Sequence, residues 1–388
     1  MKITRVDARS VRIPIQKAPY DSEAAGTRFH ADGKRSRTTP LRPEPVLEYV
    51  LIRIETDEGI CGQGEAQADI GFFGETVEEV ERAVADYLGP QLVGRDPLER
   101  ERLVEIIDFR GNSCAKAGID VALHDLVSRK LDTPVATLIG GAAKTRIPVA
   151  LEIAAGPPDA MAAECVACME LGVRAFKPKI GQNARLDADR LHAIRQAVGH
   201  DVSIRADANQ GYTPKEAIQL CRLVERRDVR LELLEQPVPA WDLEGMAFVR
   251  RAVDVPIEAD ESCYTINDAM RIVRHEAADV LNIKIGKAGG LLNAKKIAAI
   301  AEAAGLRVVL GTAFGLGLER AAKLHLAAAT PAIVDAVEFT ELRLHHPLLE
   351  PPHDALLSLP VEDGCLPVPT GPGLGVTLDE AAVERFRL

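Results

Sequence analysis

The sequence predicts an α/β protein in which a closed parallel barrel of eight strands and seven helices is joined to a smaller α+β module. Three observations carry that expectation. From Pro148 onward short β-branched runs alternate with amphipathic stretches, and candidate strands start near 148, 174, 201, 230, 256, 280, 307 and 335. Each interval is long enough for one strand, one crossover helix and two loops. After Thr340 the rhythm stops, and 345–372 contains seven prolines, which no eighth barrel helix could accommodate. At 388 residues the chain also exceeds what one compact core usually carries. A doubly wound open sheet would show the same alternation, so the strand count favours the barrel and leaves that alternative standing.

The elements before the barrel follow in order. Thr4 to Ile13 and Val46 to Thr56 alternate like an antiparallel pair, and Asp57-Glu58-Gly59 turns the chain into a short third strand. Between the first two lies a long polar segment, 16–43, that reads as a candidate lid or a solvated surface loop. Helices are expected at about 76–88, 97–108 and 113–130, the last with Ile119, Ala122, Leu123, Leu126 and Val127 on one face. The proline-rich tail is expected to run back to this module. The division is therefore 1–130, completed by 345–388, as a capping domain, and 131–344 as the barrel.

Lys plus Arg is 47 and Asp plus Glu is 58, a formal charge of −11, so no nucleic acid partner is expected, for want of a basic face. No run of about 18 apolar residues exists, so no membrane span is expected. The charged start, Met1-Lys-Ile-Thr-Arg, lacks the apolar stretch of a signal peptide, and a cytoplasmic protein is expected. Seven scattered cysteines fit a reducing compartment. Cys165 and Cys168 form a CxxC inside a helical pattern, which reads as one packed face.

Chemistry on a parallel barrel collects at the C-terminal ends of its strands. Here the second strand ends Phe176-Lys177-Pro178-Lys179, the third Arg205-Ala206-Asp207-Ala208-Asn209 and the fourth Leu233-Leu234-Glu235-Gln236-Pro237. The fifth ends Glu258-Ala259-Asp260-Glu261-Ser262 and the sixth Asn282-Ile283-Lys284. Three consecutive strands each deliver one carboxylate, Asp207, Glu235 and Asp260, at an equivalent depth. Such a trio repels itself unless a cation neutralises it. All-oxygen ligation favours a hard ion, Mg²⁺ first and Mn²⁺ second. Lys177 and Lys179 are two apart and so point the same way, and two adjacent ammonium groups lower one another's pKa, which can leave one of them neutral and basic. Lys284 comes from across the barrel, so a carboxylate substrate on the metal has an amine on each face of its α-carbon.

These motifs resemble the enolase superfamily, and within it the muconate lactonizing enzyme subgroup of the mandelate racemase/muconate lactonizing enzyme family. The resemblance rests on Lys177-Pro-Lys179, Asp207-Ala-Asn209, Glu235-Gln-Pro237, Ala259-Asp260-Glu261-Ser262 and Asn282-Ile-Lys284-Ile-Gly-Lys-Ala-Gly-Gly290. Ala115 to Asp125 and Leu138-Ile-Gly-Gly141 look like the family's domain junction. The resemblance implies an α+β capping domain on a modified TIM barrel, (β/α)7β, and Mg²⁺ held by Asp207, Glu235 and Asp260. Relatives of mandelate racemase place a His at the seventh strand, whereas here it ends Leu310-Gly311-Thr312-Ala313-Phe314. The pair Lys179 and Lys284 follows the lactonizing-enzyme pattern instead.

The expected reaction removes the proton α to a carboxylate through an enediolate, the scheme that general accounts of such sites describe. Lys179 and Lys284 are assigned as the acid/base pair, Lys177 as the group that tunes Lys179 and helps hold the carboxylate, and Asn209 and Glu261 as residues that orient ligands. Racemisation or epimerisation of an amino-acid-like carboxylate, N-modified or proline-type, is the first choice. Muconate-type cycloisomerisation and β-elimination are alternatives, and a non-catalytic barrel that binds a metal or carboxylate is the reading from another class. Dipeptide epimerases carry Asp-x-Asp at the eighth strand; Val337-Glu338-Phe339-Thr340-Glu341 departs from it, and Glu338 stands where cycloisomerases also carry a Glu. Specificity is expected from 16–43, 66–76 and the eighth-strand end, with Phe72, Phe73, Thr312, Phe314 and Glu338 as pocket candidates. Arg28, Lys34, Arg35, Arg37 and Arg42 in the first loop suggest an anionic substrate. His345 and His346 are read as structural. The expected partner is a small-molecule carboxylate, and a homo-oligomer is expected.

Overall fold

The computed structural model describes residues 1–15 and 46–388. The candidate lid at 16–43, with Arg28, Lys34, Arg35, Arg37 and Arg42, lies outside the described residues.

Strands β1 (Ile3–Pro14), β2 (Val46–Thr56) and β3 (Cys61–Ala68) form an antiparallel sheet in the order β1-β2-β3. The expected pairing is present, from Ile3 opposite Thr56 to Pro14 opposite Val46. Helical segments follow at Val77–Leu92, Arg100–Ile106 and Ser113–Lys130. The first continues past the expected end because Ala83–Leu88 winds as a π-helix before a last turn at Gly89–Leu92. Helix α1 (Ser113–Lys130) lies so close to β3 that a Cβ on Gly64 would meet the Gly118 carbonyl at 2.0 Å. Glycine at those positions is what permits the approach.

The barrel strands are β4 (Arg146–Ile153), β5 (Ala175–Pro178), β6 (Ser203–Asp207), β7 (Leu233–Glu235), β8 (Ile257–Ala259), β9 (Val280–Ile283), β10 (Arg307–Leu310) and β11 (Val337–Glu338). They pair in parallel in the order β10-β9-β8-β7-β6-β5-β4-β11, and β10 packs against β11 to bring the ends of the sheet together. Helices α2 (Pro158–Glu170), α3 (Ala184–Val198), α4 (Pro214–Arg226), α5 (Leu243–Ala252), α6 (Ile266–His275), α7 (Leu291–Ala303) and α8 (Gly317–Ala328) fill the seven crossovers. Directly after β11 comes a 3₁₀ turn, Thr340–Arg343, in place of an eighth barrel helix. The architecture is the modified barrel with an antiparallel cap. Cys165 and Cys168 are buried on α2, as a packed face requires.

The tail touches both parts. Strand β12 (Cys365–Pro367) runs antiparallel to β4, and beyond it Arg12 N–H donates to the Phe386 carbonyl at 2.8 Å. The cap also reaches into the barrel: Asp120 of α1 accepts the Leu291 N–H at the start of α7 at 2.5 Å.

Candidate active site

The ladder of the barrel builds the site. Lys179 sits opposite Asp207, Asp207 opposite Glu235, and Glu235 opposite Glu258. Residues paired across parallel strands share a face, so these four side chains stand side by side. Asp260 is two residues beyond Glu258 and continues the same face one pleat higher. The fifth strand is thus staggered relative to the expectation of equal depth, as closure of a tilted barrel requires. Asn209, Gln210 and Gln236 all take left-handed backbone conformations just past these strands, with φ of 39°, 68° and 33°. Strain of that kind clusters where surrounding structure enforces it.

Every sequence-predicted lysine and carboxylate of the site meets another. Lys177 Nζ lies 2.6 Å from Glu338 Oε2, 3.1 Å from Glu235 Oε2 and 3.7 Å from Asp207 Oδ2. Lys179 Nζ lies 2.6 Å from Asp207 Oδ2, and Lys284 Nζ 2.5 Å from Asp260 Oδ2. Asn209 donates its backbone N–H to Asp207 Oδ1 at 2.9 Å and its side-chain amide to Glu261 Oε1 at 3.3 Å. Among the described residues, Glu235, Glu258 and Glu338 each bring one carboxylate oxygen to within 4.8 Å of the others. Asp207 and Asp260 are instead turned onto lysines.

Three residues were not singled out from sequence. Glu152, at the end of β4, lies 3.2 Å from Lys177 Nζ and 2.9 Å from Lys179 Nζ. Asking of the first strand what was asked of the next five would have found it. Glu258 was visible beside Asp260 but unassigned. Lys287, one turn past β9, donates to Asp260 Oδ1 at 2.5 Å, to the Asp260 carbonyl at 2.8 Å and to the Asn282 carbonyl at 3.0 Å.

Seven carboxyl groups (Glu152, Asp207, Glu235, Glu258, Asp260, Glu261, Glu338) therefore face four ammonium groups (Lys177, Lys179, Lys284, Lys287). Burial, with Asp207 adding repulsion, holds the Glu235 carboxyl well above its usual range. Burial with Glu338 pushes Glu258 up to about 8, and burial with Asp260 pushes Glu261 up to about 7. Burial would also raise Glu152, but Lys179 and Lys177 outweigh it and hold the group at about 2. For the lysines the expectation of a lowered pKa needs correction. Burial and Lys177 do lower Lys179, yet Asp207 and Glu152 together outweigh them and hold it above the ordinary range. Lys177 and Lys284 are raised as well: burial opposes this, but Glu235 and Asp260 respectively prevail.

The pocket candidates divide. The Phe72 ring lies 4.5 Å from Lys284 Nζ, and Phe73 packs edge-on against Phe72 and over Gly286. Thr312 N–H donates to Glu338 Oε2 at 3.2 Å and its hydroxyl to Glu341 Oε2 at 2.5 Å. Phe314 belongs to the same loop. His345 is buried against the Tyr49 hydroxyl at 3.0 Å, and burial lowers it to about 3, in keeping with a structural role.

Residues 160–382 match the model of the enolase C-terminal domain-like family, and 42–140 that of the mandelate racemase/muconate lactonizing enzyme N-terminal domain. The chain belongs to the mandelate racemase/muconate lactonizing enzyme family. It is 35% identical over 345 residues to an L-Ala-D/L-Glu epimerase of Clostridium acetobutylicum, covering 88% of this chain and 94% of that one. A muconate cycloisomerase 1 of Rhodococcus opacus is 36% identical over 358 residues, 90% of this chain and 92% of its own. The crystal structure of an N-succinyl Arg/Lys racemase from Bacillus cereus superposes with a TM-score of 0.88 at 29% identity, covering 100% of this chain and 98% of that one. These relatives are isomerases, and this member of the family is an isomerase of the enolase superfamily.

Proposed function

We propose that this isomerase catalyses 1,1-proton transfer, racemisation or epimerisation, at the α-carbon of an amino-acid-like carboxylate. One observation carries the reading: Lys179 just past β5 and Lys284 after β9 flank Asp207, Glu235 and Asp260 in strand order, so amines approach one carboxylate cluster from two sides.

Superfamily members use Mg²⁺, and the residues here fit a hard cation. Glu261 Oε2, Glu338 Oε1 and both Glu258 oxygens are buried without a hydrogen-bond partner, and carboxyls outnumber ammonium groups. Such a deficit of positive charge is what a divalent ion relieves. Asp207, Glu235 and Asp260 would hold the ion, which when bound supplies Lewis-acid stabilisation of charge on the substrate carboxylate. With Asp207 committed to a cation, the largest influence that raises Lys179 is withdrawn, and Lys177 and the added positive charge lower its pKa toward that of a useful base, against Glu152, which stays 2.9 Å away. One lysine then takes the α-proton, and the other returns a proton to the opposite face. Asn209 and Glu261 orient Asp207 and its neighbours, and Phe72 walls the face occupied by Lys284.

The N-succinyl Arg/Lys racemase supports an N-succinyl amino acid as the substrate class, and the departure of Val337–Glu341 from Asp-x-Asp counts against a dipeptide. Cycloisomerisation of a muconate is the second reading, favoured by Glu338 at the end of β11 and by the cycloisomerase relative. Deuterium wash-in at the α-carbon in D2O, with Mg²⁺ and libraries of N-succinyl amino acids, dipeptides and muconates, separates the two. A racemase or epimerase labels both configurations. Lactone formation from muconate without α-exchange on any amino-acid derivative would overturn the proposal.

A further inference from the structure

The loop after the seventh barrel strand carries Thr312 and Phe314, and two of the side chains that hold it, Tyr49 and Glu65, come from the cap. Helix α8 begins at Gly317, and its N-cap residue Leu316 has no side chain that could receive the first N–H groups. Glu65 on β3 supplies the missing acceptor. Its Oε1 takes the Leu316 N–H at 2.5 Å and its Oε2 the Glu319 N–H at 3.2 Å. The helix leaves those N–H groups without an acceptor of its own, and the Glu65 carboxyl oxygens provide one. Two residues earlier Phe314 sits at φ 63°, a conformation that a bulky side chain keeps only when its surroundings enforce it. Its carbonyl accepts the Tyr49 hydroxyl of β2 at 2.5 Å and lies 3.2 Å from His345 Nε2.

Tyr49 and Glu65 are neighbours by register. Tyr49 pairs with Gln67 and Leu51 with Glu65, so the two side chains leave the same face of the cap sheet on adjacent strands. Both are buried, at 0% and 5% exposure. What they hold matters to the site, since Thr312 donates to both Glu338 and Glu341, and Glu338 is the acid against Lys177.

We infer that Glu65 and Tyr49 are positioning residues: from the cap they strap the loop 312–316 in the conformation that presents Thr312 and Phe314 to the substrate. The cap thereby acts on substrate preference through the barrel's own loop. The specificity half of this inference rests on the proton-transfer reading; the strap does not.

The test uses the full chain with Mg²⁺, and the variants Glu65→Gln and Tyr49→Phe. Amide hydrogen exchange of 312–319 is expected to rise about tenfold or more in Glu65→Gln, and less in Tyr49→Phe, with α1 and β4 to β9 unchanged. Among N-succinyl amino acids with small and large side chains, the ratio of kcat/KM values is expected to change about fivefold while kcat on the best substrate stays within about threefold. Unchanged protection of the loop in both variants overturns the strap. Loosening of the loop with all substrates scaled equally overturns the specificity role. If Glu65→Gln loses protection throughout the chain, Tyr49→Phe, which deletes a single hydroxyl, decides the matter. A wild-type protein that exchanges no α-proton refutes the proton-transfer reading, and amide exchange still decides the strap.

Discussion

Arg205 and Asp207 lie two residues apart on β6, both fully buried, and yet belong to differently settled ends of the barrel. At the N-terminal end Arg205 donates to both Glu232 oxygens at 3.2 Å and to the Ala336 carbonyl at 2.7 Å. Nearby, Arg307 pairs with Asp335 at 3.3 Å and Arg250 with Asp279 at 2.7 Å. Cations and anions there are matched, and none of those carboxylates is among the buried orphans. At the C-terminal end the same strands carry an excess of acid, with unpartnered oxygens on Glu258, Glu261 and Glu338. A matched network supports the fold by itself. An unmatched one costs stability until a ligand completes it, which is how the ligand-binding end of a barrel differs from its supporting end.

The contrast breaks most sharply at the lysines. Lys179→Met and Lys284→Met are each expected to reduce α-proton exchange by about 10²–10⁴-fold, the usual contribution of a positioned acid or base. Proton NMR in D2O, started separately from each configuration, should show exchange lost from one face in each variant. If both variants instead lose melting temperature and keep exchange, the upper end is structural like the lower.

Arg205→Met is the matching experiment at the other end. It strands Glu232 and is expected to cost about 3 kcal/mol by urea denaturation, toward the low end for a buried pair because Glu232 is partly exposed. Exchange per folded molecule should stay unchanged. Mg²⁺ gives the next effect: at about 100 times its Kd, it should add about 2.7 kcal/mol, reversed by EDTA. Asp260→Asn should remove the increment measured by calorimetry, and Arg307→Ala should keep it. Equal increments in both would place the ion elsewhere.

What could be read beforehand, and what could not, follows the same division. The alternation of strands and helices, the missing eighth helix and the acids at strand ends are local patterns, so Asp207, Glu235, Asp260 and the three lysines could be named from the chain alone. Stagger is not local. Glu258 pairs with Glu235, and Asp260 rides one pleat higher, because of how a tilted sheet closes, which strand-end motifs do not report. Lys287 returns to Asp260 because the chain winds into one helical turn, Ile285–Ala288, directly after β9. Glu65 lies 251 residues from the Leu316 N–H it caps, a distance at which no sequence spacing is informative.

The smallest expected effect lies at the seam between the cap and the barrel. Burial, with repulsion from Glu319, pushes Glu65 up to about 8, and burial also pushes Glu319 up to about 7, from ordinary values near 4.5. The groups around them are Arg320 and Lys323 on α8, Tyr49 on β2, Glu341 after β11 and Lys284 after β9. A carboxyl whose folded pKa is raised holds its proton longer folded than unfolded, so its contribution is complete below about pH 4.5 and is lost as pH rises toward about 8. The wild-type melting temperature should therefore fall relative to that of Glu65→Gln between pH 5 and 9, by about 1–3 °C for a chain of this size. Glu258 and Glu261 drift in the same direction, but they are present in both proteins and cancel in the difference. Melting curves of the two proteins that stay parallel across that range would mean that Glu65 is ionised throughout, a fixed anion at the start of α8.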